Sequence, residues 1–320
     1  MSKEYIVITG GAGFIGSHLT ELLQSQGYGV LVVDDLSTGL EAHGNLADIF
    51  ILQDVGDNPP YDIASRMWEF KHLNIVGVVH LAAQSRIREG SFPVDIQANI
   101  EGAARVFDWA SSVETVRSIV FASSGAVYGD DYRTGPWHET DNAEPISSYG
   151  ISKLSGEHYL RLFAEGSGKA WFALRLGNVY GPRQRWELGA GAPTVFAFQL
   201  LNDSLVTLYN GGKSVRDYLY VEDAVRAFLI CIRGTPGESG IFNVAGALSG
   251  QLAARFVLET MKRITAKVPK EIMVKPLEGD ASSIILDPSR IKIALGWEPL
   301  IDFQEGAKRV AADVERRMHE

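Results

Sequence analysis

A glycine-rich loop set between an apolar strand and an amphipathic helix constrains this chain more than any other feature. Tyr5-Ile-Val-Ile-Thr9 is a short β-branched apolar run, of the kind buried on both faces of a parallel sheet. It passes directly into Gly10-Gly-Ala-Gly-Phe-Ile-Gly16, and Ser17-His-Leu-Thr-Glu-Leu-Leu23 continues as a helix. Glycines permit the tight turn and let the backbone approach a pyrophosphate, which then rests on the helix N-terminus. A glycine pattern alone marks no more than a strand-to-helix turn. Here a second strand, Val30-Leu-Val-Val33, ends in Asp34, 21 residues after Gly13, where a carboxylate can meet adenosine ribose hydroxyls. Gly10, Gly13, Phe14, Ile15, Gly16 and Asp34 are therefore candidates for holding a dinucleotide. An acid at position 34 repels a 2′-phosphate, which favours NAD over NADP.

Strand and helix signals alternate from residue 5 to about 175, which predicts an α/β fold with a Rossmann-type, doubly wound parallel sheet. The predicted strands are 5–9, 30–33, 48–53, 75–80, 117–122 and 170–175. The predicted helices lie near 14–27, 61–72, 93–111 and 148–165, with another from Val221 to Arg233. The sequence from Ala245 onward reads as largely helical. Residues 1–179 read mainly as a dinucleotide-binding domain and 180–320 mainly as a smaller substrate-binding lobe, with 214–245 returning to the first. The formal net charge of −9 and the lack of a long basic run argue against nucleic acid or an anionic membrane as partner. No apolar stretch reaches the roughly 20 residues of a membrane span, and no leader precedes the first strand, so a cytoplasmic location is expected. The single cysteine, Cys231, falls in an apolar helical pattern and reads as a buried core thiol. No metal site is read.

Chemistry concentrates after the fifth strand. Ser118-Ile-Val-Phe-Ala122 runs into Ser123-Ser-Gly-Ala-Val-Tyr-Gly129, and ligands of open α/β sheets bind beyond the carboxyl ends of strands. Downstream, Ser147-Ser-Tyr-Gly-Ile-Ser-Lys153 puts Tyr149 and Lys153 on one face of a helix. A cation beside the phenol favours phenolate and predicts a lowered tyrosine pKa, which would make it usable as a base. The pair alone reads equally as a surface contact. With Ser124 upstream it forms a Ser-Tyr-Lys set of the kind used in hydride transfer.

With these motifs in hand, the sequence resembles the extended short-chain dehydrogenase/reductase family, and within it the NAD-dependent sugar-nucleotide epimerases and dehydratases. The resemblance spans nearly the whole chain. Its marks are the 9–17 loop, Asp34-Asp-Leu-Ser-Thr-Gly39, Asp54-Val55, His80-Leu-Ala-Ala-Gln84 and Asn99. They continue with 123–129, Tyr149 to Lys153, Asn178-Val-Tyr-Gly-Pro182 and Arg216-Asp-Tyr-Leu-Tyr-Val-Glu-Asp223. The resemblance implies that Tyr149 takes the proton of a sugar 4-hydroxyl while C4 hydride passes to NAD. It implies that Ser124 hydrogen-bonds the same oxygen and that Lys153 holds the nicotinamide ribose. Asp54 and Val55 become adenine contacts. Leu81, Ala82, Ala83, Asn99 and Ser123 line the cofactor groove, although Ala82, Ala83 and Asn99 read equally as packing residues.

The loop after strand five discriminates among reactions. The family's 4,6-dehydratases carry an acid pair there, and its decarboxylases typically one glutamate, whereas this chain has Gly125 and Ala126. Neither does acid/base work; both are expected to leave space. The surrounding pattern resembles the UDP-glucose 4-epimerase-like members, in which a 4-keto sugar turns over and NAD, tightly bound, is regenerated each turnover. A dehydratase, decarboxylase or reductase of the same family is the alternative. On the substrate side the resemblance implies contacts of a UDP-linked sugar with Asn178, Arg183, Arg216 and Asp280, Arg216 reading otherwise as an ion-pair partner of Asp217 or Glu222. One departure stands out: Leu277 and Glu278 occupy the family's arginine-proline slots, which leaves Lys275 or Arg183 as substitutes for a second phosphate clamp, or else a nucleotide bound more weakly or held in another way. Residues 183–192 are expected to wall the sugar pocket, with Trp186 either stacking on ligand or packing. Helices 93–111 and 148–165 resemble those of an intersubunit four-helix bundle, so a homodimer is expected, with Ile100, Ala104, Phe107 and Leu154 on the seam or in the core.

Overall fold

The computed structural model describes residues 2–57, 62–84, 93, 95–130, 135–189, 191–276 and 281–320. In chain order the first half runs β1 (Glu4–Thr9), α1 (Phe14–Ser25), β2 (Gly29–Asp34), α2 (Glu41–Gly44), β3 (Ile49–Leu52), α3 (Ile63–Met67) and β4 (Asn74–His80). A π-helical turn, Asp95–Glu101, leads into α4 (Gly102–Ser112), followed by β5 (Ser118–Ser124), α5 (Ser148–Ser167) and β6 (Ala170–Leu176). The second half holds β7 (Asn178–Tyr180), α6 (Ala192–Leu201), β8 (Val206–Tyr209), β9 (Val215–Tyr220), α7 (Val221–Ile232) and β10 (Gly240–Val244). It closes with β11 (Gln251–Ala253), α8 (Ala254–Thr265), β12 (Ile272–Lys275), β13 (Ser283–Ile284), α9 (Ser289–Leu295) and α10 (Phe303–Met318).

Seven strands form one parallel sheet in the order β10-β6-β5-β4-β1-β2-β3. The period of two in each strand divides its side chains between two cores. Ile6 and Ile8 of β1 pack with Leu19 and Leu23 of α1 and with Ala224 and Phe228 of α7. Val7, between them, joins Leu31, Val78 and Phe121 against Val106 and Phe107 of α4 and Leu160 of α5. Both faces are thus covered, as a parallel sheet requires. Cys231 lies within the first core, where burial pushes its thiol pKa up.

Two expectations are corrected here, and the choice left open for Phe107 is made. The helix expected over 61–72 is α3 followed by a single 3-10 turn, Trp68–Phe70. The stretch after Ala245 is not largely helical: strands β11, β12 and β13 alternate with its helices, since short strands too brief to show periodicity can pair with partners distant in sequence. Phe107 belongs wholly to the core, with edge contacts to His80 and Phe121. The seventh strand, β10, was not read from the sequence.

A smaller body forms around β9, which pairs with β7, β11 and β13, and around the β8–β12 pair, α6, α8 and α10. Its core is aromatic, with Tyr180, Tyr218, Tyr220 and Phe303 in mutual contact. Asp217, fully buried in β9, joins this body to the main sheet: its carboxylate accepts from the Gly246 N–H at 2.6 Å and the Leu286 N–H at 3.4 Å. Burial, opposed by these two bonds, pushes its carboxyl up to about 7. The folded state therefore holds a proton that the unfolded chain releases near pH 4. The stability this residue contributes is full below that pH and declines as pH rises toward 7. Asp217→Asn cannot ionise, so its stability relative to wild type is expected to improve between pH 5 and 8. Urea unfolding at both pH values measures this, and parallel pH dependences would contradict it.

Candidate active site

The order of the sheet reverses at β1, whose neighbours are β2 on one side and β4 on the other, and a crevice opens there at the strands' carboxyl ends. A cavity of about 530 Å³ fills it, lined by the 10–16 loop, Asp34, Leu81, Ser124, Tyr149, Lys153 and Asn178 among others. The loop is shaped for close approach. Gly10 has φ of +73°, and a Cβ there would stand 2.5 Å from the Ala82 nitrogen; at Gly16 it would stand 2.5 Å from the Gly10 carbonyl oxygen. Helix α1 begins without a side-chain cap, which leaves its first amides to a ligand.

Asp34 closes the other side of the loop. Its Oδ2 accepts from the Ala12 N–H at 3.0 Å and its Oδ1 from the Leu36 N–H at 2.8 Å, which fixes the carboxylate while each oxygen keeps a lone pair. Burial raises its pKa, and the two backbone bonds oppose the rise. Asp54 and Val55 line the same cavity, with Asp54 Oδ1 accepting from the Gly56 N–H at 2.8 Å. Phe14, Ile15, Ala82, Ala83 and Ser123 also line it. A side-chain-free cradle at an uncapped helix start, facing a fixed carboxylate, fits a dinucleotide. Asn99 does not line the cavity. Its Oδ1 accepts from the Gln84 N–H at 2.7 Å, and its Nδ2 donates to the Gln84 carbonyl and to Ser152 Oγ. It holds the segment after β4 against α5.

Ser124 ends β5, and its Oγ accepts from the Ala126 N–H at 3.1 Å. Helix α5 starts beside it, capped by Ser147 Oγ on the Gly150 N–H at 3.0 Å. Ser124 acts on the phenol of Tyr149, favouring its ionised form. Lys153 Nζ lies 4.7 Å from the Phe121 ring centre and 5.7 Å from that of Tyr149. The lowered phenol pKa expected from spacing is overturned. Tyr149 keeps part of its surface in the cleft, but burial of its hydroxyl pushes the pKa up to about 12, against the effect of Ser124 and with help from Asp95. Burial also pushes Lys153 down to about 7, so the neighbouring charge is itself half-lost near neutrality. In this site desolvation outweighs the pair attraction.

Behind Ser124 lies a buried ion pair that the sequence reading missed. Glu157 Oε1 accepts from Arg175 Nε at 2.9 Å and Oε2 from Nη2 at 2.7 Å; Ser123 Oγ donates to the same Oε1. Removing one partner of such a pair strands a charge and costs about 3–5 kcal/mol. The signal was present: 149, 153 and 157 repeat every four residues along α5.

The substrate-side expectations divide. Asn178 and Arg183 line the cavity, but Arg183 forks onto Glu21 of α1, with both bonds 2.7 Å. Arg216 is not among the cavity's lining; its Nη1 donates to its neighbour's carbonyl at Val215, because β9 turns it beside β11 and β13. Glu222 pairs instead with Arg309, and Asp217 with backbone amides. Asp280, Leu277 and Glu278 lie outside the described residues. From 183–192, Gln184, Arg185 and Leu188 face the cavity, and Arg185 reaches across to the Thr38 carbonyl at 3.2 Å. Trp186 packs, stacked on Phe198 at 4.9 Å under Arg317. The space expected at Gly125 is taken: a Cβ there would stand 2.9 Å from Ile284 Cγ2 and 3.3 Å from Leu286. Tyr180 and Tyr218, unassigned from sequence, also line the cavity.

Nitrogen NMR of the lysine ammonium groups gives a direct check on this electrostatic balance. The Lys153 signal, identified by its loss in Lys153→Met, is expected to titrate near pH 7. A titration alongside solvent-exposed lysines, above pH 10, would refute the burial argument.

The family model of the NAD dependent epimerase/dehydratase family matches residues 6–245. A putative UDP-glucose 4-epimerase of Methanocaldococcus jannaschii is 33% identical over 308 residues, covering 95% of this chain and 96% of its own. Among solved structures, the UDP-glucose 4-epimerase of Thermotoga maritima with UDP-glucose superposes with a TM-score of 0.88 at 35% identity, covering 99% of this chain and 100% of that one. The Thermus thermophilus UDP-glucose 4-epimerase in complex with NAD gives 0.87 at 33% identity, covering 97% and 99%.

Proposed function

The chain belongs to the NAD dependent epimerase/dehydratase family, and on that premise we propose that it interconverts the C4 epimers of a UDP-linked hexose with NAD as its cofactor. The observation that carries this reading is that Ser124, Tyr149 and Lys153 line one dinucleotide-shaped cleft, with Gly125 and Ala126 in place of acids.

Bound NAD supplies a reversible hydride acceptor at its nicotinamide ring. The 10–16 loop, Asp34, Asp54, Val55, Leu81, Ala82 and Ala83, which line the cavity, would hold it. Tyr149 Oη removes the proton from the sugar 4-hydroxyl and later returns it, and Ser124 Oγ holds the same oxygen in line. A cationic Lys153, when protonated, stabilises the phenolate. Asn178 and Arg183 line the same cavity, Arg183 held by Glu21, and are assigned here to the sugar-nucleotide side. Return of both the C4 hydride, now to the opposite face, and this proton leaves no net oxidation and inverts C4, which agrees with the absence of an acid pair for elimination at 125 and 126.

Incubation with UDP-glucose, UDP-galactose, their N-acetyl forms and UDP-glucuronate, with no coenzyme added, tests the reading by proton NMR of the anomeric signals. Interconversion of one C4 pair is expected, along with NAD that copurifies. Loss of a substrate without its epimer appearing would assign a dehydratase, decarboxylase or reductase instead. Tyr149→Phe is expected to keep the fold and lower turnover by about 10²–10⁴-fold.

The quaternary reading is a homodimer through α5. Ile151, Tyr159 and Leu162 leave 52%, 39% and 65% of their surface exposed along one side of that helix, a stripe that a second copy would cover. Ile100, Ala104 and Leu154 are half-buried, and Leu154 packs against the small cluster of Val127, Tyr128 and Trp137. Light scattering is expected to return twice the 35.0 kDa chain mass, and Leu162→Arg to halve it. A wild-type monomer would remove the dimer from this account. Among the described residues no helix is long and apolar enough to cross a membrane, which is compatible with the cytoplasmic location we favour.

A further inference from the structure

We propose that Glu157 is a positioning residue for the reaction, clamping the Tyr149 face of α5 to the Ser124 end of β5 through Ser123 and Arg175. The inference rests on the reading of Tyr149 as the acid/base group. Tyr149, Lys153 and Glu157 succeed one another at four-residue intervals, so they form one stripe along the helix. Ser123 and Arg175 are register partners across β5 and β6, as are Ser124 and Leu176. One carboxylate therefore ties three elements together within one residue of Ser124, which lines the cavity with Tyr149.

The clamp has little slack. Glu157 and Arg175 side chains are 2% and 4% exposed, so no water competes for their bonds. The Arg175 guanidinium lies 4.7 Å from the Tyr128 ring centre, and Tyr128 Oη donates to Asn243 Oδ1 at 2.7 Å on β10. On the helix side, a Cβ at Gly156 would stand 2.6 Å from Phe121, so α5 is seated directly on β5. A helix held this closely by packing can still slide or roll by a fraction of an ångström. Fixing that last freedom requires directional bonds, and a forked ion pair has two. Buried ion pairs contribute little net stability compared with apolar replacements. A geometric duty accounts for this one, in line with the demand that reacting groups be held within about half an ångström.

The test compares wild-type holoenzyme with two variants. Ser123→Ala removes only the hydroxyl link. The double variant Glu157→Gln with Arg175→Met removes both charges together, so neither is stranded in the core. Both are expected to fold and retain NAD, with KM changed little. The double variant is expected to lose roughly 10- to 100-fold in kcat, and Ser123→Ala to lose less. Ser124 lowers the Tyr149 pKa, so moving the two apart raises that pKa and moves the acidic limb of the kcat profile to higher pH. A further readout needs no turnover: the ¹³Cζ signal of Tyr149, assigned by its loss in Tyr149→Phe, is expected to move in both variants. Movement of that signal in the two variants, with a wild type inert toward UDP-sugars, would keep the clamp and discard the epimerase reading. Wild-type kcat in the double variant would overturn the inference. So would a kcat loss that tracks thermal stability with the pH profile and the Tyr149 signal unmoved.

Discussion

The site depends on one close approach. At the end of β1 the backbone turns through Gly10 in a left-handed conformation and passes the Ala82 backbone with no room for a Cβ. Because the loop lies that low, α1 can start immediately, its first amides face the crevice, and Asp34 reaches the Ala12 N–H from the next strand. A side chain at position 10 would lift the loop, separate it from β4 and break the hydrogen bond between the Leu81 N–H and the Thr9 carbonyl. The order of strands around β1 then makes this point the place where a ligand can enter between diverging connections.

Burial, more than charge pairing, determines the electrostatics around the crevice. Tyr149, Lys153 and Asp217 all move toward their neutral forms. His80 is pushed down to about 3, stacked on Phe121 with Thr9 Oγ1 2.6 Å from its Nδ1. A site of this kind is poised for proton transfer by a hydroxyl whose acidity depends on what binds beside it, since a ligand that displaces water or adds charge acts at low dielectric. Glu157 and Arg175 are the exception, a fully formed pair in the same dry region, and their geometry explains why charge is tolerated there.

Most of the architecture could be read from pattern. The β-branched runs ended within one or two residues of β1, β2, β4, β5 and β6, because strands buried on both faces leave an unbroken apolar signature. The loop, Asp34, Ser124, Tyr149 and Lys153 were found as a set because their chemistry requires residue types at set spacings, and they share one cavity. What escaped has a common physical cause. Strand β10 and the short strands of the smaller body are specified by partners far away in sequence, as Gly240 is by Phe172. Glu157 resembles any helical glutamate until Arg175 is seen across the fold. Arg183 and Arg216 carried the right charge for phosphate, but their directions are set by Glu21 and by the edges of β9.

The amino-acid sequence by itself determined the class of fold, the cofactor-sized loop and the grouping of Ser124, Tyr149 and Lys153, since each follows from local periodicity, from glycine's missing side chain, or from strand-end position and helical spacing. Only the tertiary structure decided how those groups are tuned. The direction of the Tyr149 and Lys153 shifts, the filling of the Gly125 space by Ile284 and the clamp at Glu157 all depend on the amount of protein packed around each group. Desolvation and contact are properties of three-dimensional neighbours, and residues as far apart in sequence as 125 and 284 become neighbours only when the chain has folded.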